Sequence, residues 1–143
     1  MASVTESMPM TAPAETVWAV LSNPSRFGEW IDIHTGFMGE PPTEFTVGQS
    51  FGQKLRVMGM PVDVGWTVDE LQPGRRIVLS GDGPMGVGLT ATYSVEPIDA
   101  GSLATAAFDF SGAAVMMVGS QLTRETAQSL RTSLQTLKGI VEA

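Results

Sequence analysis

Residues 11–30 read TAPAETVWAVLSNPSRFGEW, and this stretch holds two short helices separated by a break. Pro13 sits near the first helical position, where its missing N–H is no loss, and Glu15 lies where the helix macrodipole favours an anion. Ala14, Val17, Trp18 and Leu21 are spaced three or four apart, which predicts one buried face. Asn23-Pro24 then restarts the chain, because Asn caps a helix and Pro suits its first turn. The second helix carries Phe27 and Trp30, and the break predicts that the two meet at an angle.

On either side of this pair the period changes. Val4, Glu6 and Met8 alternate with Thr5 and Ser7, a short first strand. From Asp32 to Gly112 the period is two: Phe51, Gln53, Leu55 and Val57 form one set, and Val62, Val64, Trp66 and Val68 the next. Ile77-Val78-Leu79, then Val87 to Val95, then Leu103 to Phe110 continue the series. Turn signals separate these runs at Gly59-Met60-Pro61, Gln72-Pro73-Gly74, Gly81-Asp82-Gly83-Pro84 and Asp99-Ala100-Gly101. Consecutive strands with tight turns predict an antiparallel meander. Gly52, Gly65 and Gly88 inside the strands predict bulges and curvature. Helical spacing returns from about Gly119 to Val141, with Ala127, Leu130, Leu134, Leu137 and Val141 on one face. A helix of that length runs roughly 33 Å, enough to lie across a curved sheet. The predicted class is therefore α+β, in one domain over residues 1–143.

Composition removes much familiar chemistry. No cysteine is present, so disulfides, thiolate nucleophiles and Cys-containing zinc sites are excluded. A single histidine, His34, excludes two- and three-histidine metal sites within one chain. No acidic spacing resembles a calcium loop, and Asp63, Asp69 and Asp109 fall on the polar side of their strands. No metal and no cofactor are expected. With 8 basic and 15 acidic residues the formal charge is −7, which argues against nucleic-acid binding and against docking on an anionic membrane. Residues 1–10 lack a basic residue and a long apolar run, and no uncharged apolar run reaches about 18 residues. Neither a signal peptide nor membrane insertion is expected, so the expected location is the cytoplasm, as a monomer or weak dimer. The Gly81–Gly86 loop is flanked by strands, so a phosphate cradle, which needs a following helix, is rejected.

The order of elements, with Ala12-Pro13-Ala14-Glu15-Thr16-Val17-Trp18, Asn23-Pro24 and Glu29-Trp30, resembles the START-like (SRPBCC) superfamily of polyketide cyclases and lipid carriers. Trp66-Thr67-Val68 with Glu70, Pro73 and Arg75-Arg76 extends the resemblance, which runs from about Ser3 to Leu137. It implies a helix-grip fold: a curved antiparallel sheet around a long C-terminal helix, with two short helices after the first strand and a cavity between sheet and helix. Glu29-Trp30-Ile31, Ile33-His34, Gly59-Met60-Pro61 and Gly81-Asp82-Gly83 with Gly86 are similar to an actinobacterial subgroup labelled as toxins of type II toxin–antitoxin pairs. That similarity implies a cognate antitoxin as partner, and supplies no catalytic residue.

Within such a cavity the candidate polar residues are His34 and Tyr93. Asp32, two positions before His34, would share its strand face, and a His–Asp pair there would move protons on a bound ketone. Alternatively His34 makes one structural hydrogen bond, and Tyr93 is either a ligand-orienting phenol or a core aromatic. Trp30, Phe51, Trp66, Phe108 and Phe110 are candidate cavity walls or plain core, and Leu55 and Leu89 belong with them. Leu130 and Leu134 are expected to face the cavity from the terminal helix, and Met116 and Met117, just before it, to line the entrance. The leading expectation is a non-catalytic carrier or sensor for a small hydrophobic molecule. A polyketide cyclase or aromatase using His34 or Tyr93, and a growth-inhibiting toxin, are the alternatives.

Overall fold

The computed structural model describes residues 2–143. Strand β1 (Ala2–Met10) leads into α1 (Ala14–Leu21), a 3-10 turn at Pro24–Arg26 and the single-turn α2 (Phe27–Trp30). Six strands follow: β2 (His34–Met38), β3 (Ser50–Val57), β4 (Met60–Gln72), β5 (Arg76–Asp82), β6 (Gly88–Ile98) and β7 (Gly101–Ser111). The long helix α3 spans Ala113–Val141. As expected, Asn23 separates the first two helices, its side chain accepting from the Ser25 backbone N–H at 3.1 Å. Pro13 takes the cap position of α1, where its carbonyl accepts from Thr16 and Val17.

The strands form one curled antiparallel sheet in the order β1-β7-β6-β5-β4-β3-β2. Only the β1–β7 pairing joins strands distant in sequence, placing Val4 opposite Phe108. Registers carry each inward row across the sheet: Trp66, Gly81, Leu89, Phe110 and Ala2 stand side by side. The next row is Leu79, Ala91, Phe108 and Val4. Period-two alternation with one buried face produces this arrangement, since a one-residue slip would turn every row outward.

Helix α3 lies on the inward face, packed chiefly against β1 and also against β7, α1 and α2. It begins at Ala113 rather than near Gly119. Gly and Ser inside a helix cost only about 1 kcal/mol or less apiece against Ala, and burying Val115 and Leu122 outweighs that. Gly112, at φ +115°, makes the turn from β7 into the helix, a conformation that disfavours any side chain.

The strand glycines do a different job from the one expected. The register shifts fall between His34 and Gly36 and between Val68 and Glu70, not at Gly52, Gly65 or Gly88. Gly81 instead makes room for its cross-strand neighbour: a Cβ there would stand 2.6 Å from the fully buried Trp66 ring. Likewise a Cβ on Gly52 would meet Met38 at 2.9 Å. Replacing Gly81 by Ala should therefore overpack the sheet and lower unfolding free energy by about 1–3 kcal/mol in a urea titration. Unchanged stability would show that the Trp66 ring has slack to move.

Candidate functional site

Between α3 and the sheet lies a cavity of about 390 Å³. Its sheet wall is Leu55 and Val57 from β3, Leu89 and Tyr93 from β6, and Phe108 and Phe110 from β7. Trp30, Ile31 and Ile33, at the end of α2 and in the link to β2, form one rim. Helix α3 supplies Thr126, Leu130 and Ser133 as roof. The aromatic walls touch edge to face in a chain, with ring centroids 5.7 Å apart for Trp30–Tyr93 and 6.2 Å for Tyr93–Phe108. The mouth is polar: Asp32, Arg56, Glu125, Gln128 and Ser129 surround it. Ser133 ties roof to rim, its hydroxyl oxygen accepting from the Asp32 backbone N–H at 2.8 Å. The Trp30 side chain is only 2% exposed, and its indole N–H has no hydrogen-bond partner among the described residues. Leaving a buried donor unpaired costs about 1–3 kcal/mol.

Seven residues named from the sequence meet at this cavity: Trp30, Leu55, Leu89, Tyr93, Phe108, Phe110 and Leu130. Six others lie elsewhere. Leu134 is fully packed into the core, one helical position round from the cavity roof. Phe51 sits against Phe37 and Phe45 in an aromatic cluster under β2. Met116 and Met117 lie in the first turns of α3, not before it, and are 78% and 87% exposed. They point away because the buried stripe of that segment passes through Val115 and Leu122.

Trp66 and His34 belong to one polar chain beside the cavity. The Trp66 indole N–H donates to Gln53 Oε1 at 2.8 Å, and Gln53 Nε2 stands 2.8 Å from His34 Nδ1. An indole can only donate, so the Gln53 oxygen must face Trp66 and its NH₂ must face His34. His34 Nδ1 therefore accepts, and the imidazole is neutral with its proton on Nε2. Gln53 is itself buried, and Phe27 and Phe37 flank the His34 ring. The Asp32–His34 pair does not form, and His34 instead makes the structural hydrogen bond that is the other reading of it. β2 begins at His34, so Asp32 lies in the preceding turn at the cavity mouth while His34 faces Gln53.

The cavity also uses residues the sequence did not single out. Thr126 and Ser133 are buried on α3 in line with Leu122 and Leu130. Their spacing of three or four from those leucines was the available signal: small hydroxyl residues on an apolar stripe leave space where a leucine would fill it. Ile31, Ile33 and Val57 line the site from irregular or strand-end positions, where periodicity carries no information.

A long helix over a curled antiparallel sheet is the architecture the whole chain shares with known proteins. Residues 1–142 match the family described as polyketide cyclase/dehydrase and lipid transport. The chain belongs to that family. It is similar to the Mycobacterium tuberculosis protein named toxin Rv0910, 27% identical over 144 residues that cover 97% of this chain and 100% of the relative. It is also similar to the uncharacterized protein Rv1546 of the same species, at 29% over 136 residues, covering 94% and 95%. Among solved structures, protein CV1439 from Chromobacterium violaceum superposes with a TM-score of 0.76 at 18% identity, covering 100% of this chain and 99% of the other. Membership in the family accounts for the helix-grip fold. Among the described residues there is no group of three metal-ligating side chains, and no helix is long and apolar enough to cross a membrane.

Burial holds the His34 imidazole below its usual pKa. The folded protein then binds fewer protons than the unfolded chain, so the stability this group contributes is complete above the unfolded value of about 6.5. It is lost as pH falls from there through the lower folded pKa. Melting temperature should accordingly drop between pH 7.5 and 5.5, and His34→Asn, whose amide oxygen can still accept from Gln53, should flatten that slope. A wild-type profile flat over this range would contradict the neutral assignment.

Proposed function

We propose that this chain is a non-catalytic carrier or sensor that holds one small hydrophobic molecule in the cavity between the sheet and α3. The observation that carries the reading is the cavity itself, about 390 Å³ with apolar aromatic walls and a polar mouth. Small-molecule sites have this character: mostly apolar, with a few placed polar groups that orient the guest. A guest bearing an acceptor could also satisfy the Trp30 indole N–H after a small turn of that ring, recovering part of what its burial costs.

The arrangement favours holding over converting. General acid–base catalysis needs a group within reach of the reacting atom, with a pKa near the working pH. His34 is outside the cavity lining and engaged with Gln53. Tyr93 is at the wall, but burial raises its phenol well above the ordinary value, which keeps it protonated at neutral pH. A phenol in that state donates a hydrogen bond and orients a guest without taking its proton.

Native mass spectrometry should show an apolar fluorescent probe bound at a ratio of one to one, and binding should raise the melting temperature. Ser129→Trp, which places an indole at the half-open mouth, should abolish probe binding without loss of folding. Leu134→Ala should instead cost about 2–5 kcal/mol of stability and leave probe affinity nearly unchanged. Equal affinity in Ser129→Trp and wild type would sink the assignment of this cavity as the binding site.

The toxin-named relatives support a second reading, growth inhibition relieved by a partner protein. Inducing the chain alone in an actinobacterial host, and again with the product of its neighbouring gene, tests it. The reading requires slowed growth in the first case and normal growth in the second.

A further inference from the structure

A second cavity, of about 150 Å³, lies beside the first, toward the beginning of α3. Leu55, Val57, Leu89 and Phe110 line both, so these four side chains are a shared wall. The two spaces differ in chemistry. Every charged or hydrogen-bonding side chain belongs to the first, with the charged ones at its mouth and Tyr93, Thr126 and Ser133 deeper in its wall and roof. The second is walled by hydrocarbon alone: beyond the shared residues, Val62, Val64, Val87, Ala114, Val115 and Leu122 enclose most of it.

We propose that the guest of the main cavity is an extended single-chain aliphatic amphiphile with a neutral polar head, whose tail crosses the shared wall and ends in the second cavity. This inference rests on reading the main cavity as a binding site. Three arguments lead to it. The mouth presents Asp32 and Glu125 as acceptors, Arg56 as a donor and Gln128 as both, so an uncharged hydroxyl or carbonyl head finds partners without meeting a like charge. The second cavity offers no partner to a polar substituent, so an oxygen-rich fused-ring guest entering it would lose hydration without replacement. Finally, Leu55 and Leu89 are aliphatic side chains with alternative staggered rotamers, and turning one of them joins the two spaces by a path suited to methylene groups in file.

Length then becomes the selected property. Each methylene removed from water should tighten binding about fourfold until the tail meets the end of the second cavity. On α3 that end is marked by Ala114, a half-buried residue whose small side chain leaves the space open. Leucine there would occupy the space and shorten the longest tail accommodated.

The test is calorimetric titration of wild type, Ala114→Leu and Val62→Phe with 1-alkanols from hexanol to dodecanol. Val62→Phe fills the same space from the sheet side, so the reading survives if one variant fails to fold. Expected is a wild-type affinity that climbs with length to a limit. In the variants that limit should arrive at least two carbons sooner, with hexanol affinity within twofold of wild type. An identical limit in all three proteins, or no alkanol binding while the apolar fluorescent probe still binds, overturns the inference and leaves the main cavity as a site. Loss of both alkanol and probe binding overturns the reading of the main cavity as well.

Discussion

One helix cannot cover seven strands, and the rest of the structure follows from that mismatch. Strands spaced about 4.8 Å apart make a seven-stranded sheet roughly 29 Å wide, whereas a helix with its side chains is about 10–12 Å across. Curling brings the sheet edges toward the helix but leaves concave surface that α3 does not reach. Because α3 packs chiefly against β1 at one edge, a gap remains between it and the inward faces of β3, β6 and β7. α1 and α2 cover part of it, and Trp30 at the end of α2 closes one side. The remaining space is the cavity.

What keeps that space open is side-chain size. The large wall residues contact one another, Tyr93 and Phe108 edge to face and Phe108 and Phe110 tilted, rather than collapsing into the gap. On the roof, Thr126 and Ser133 occupy stripe positions where leucine would project further.

These same contrasts decide how much could be read in advance. The strand periods, the Asn23-Pro24 break and the leucine stripe of α3 are local patterns, and each produced the element it implied. Periodicity identifies a buried face, but it does not say which part of a face meets another element and which meets a void. Leu130 and Leu134 illustrate the difference: both are buried on one helix face, yet only Leu130 lines the cavity. Helix α3 starts at Ala113 because tertiary burial of Val115 and Leu122 carries it beyond the run of Ala127, Leu130, Leu134 and Leu137, where helical spacing is legible. Met116 and Met117 belong to this added length, and the helix sets their direction.

The His34 outcome has a further physical reason. Alternation places Asp32 and His34 on one face only if both lie in a strand, and the chain between α2 and β2 turns first. His34 is instead captured by a residue that alternation had marked as inward without a role. Gln53 bridges a donor-only indole and an imidazole, and each bond fixes the direction of the next. A half-satisfied amide at that depth would be costly, so the three side chains hold one another in a single arrangement. A histidine locked as an acceptor in such a chain contributes shape to the wall behind the cavity. It is poorly placed to accept a proton from anything inside the cavity, and its role in the structure is to hold the Gln53 and Trp66 side chains in one arrangement.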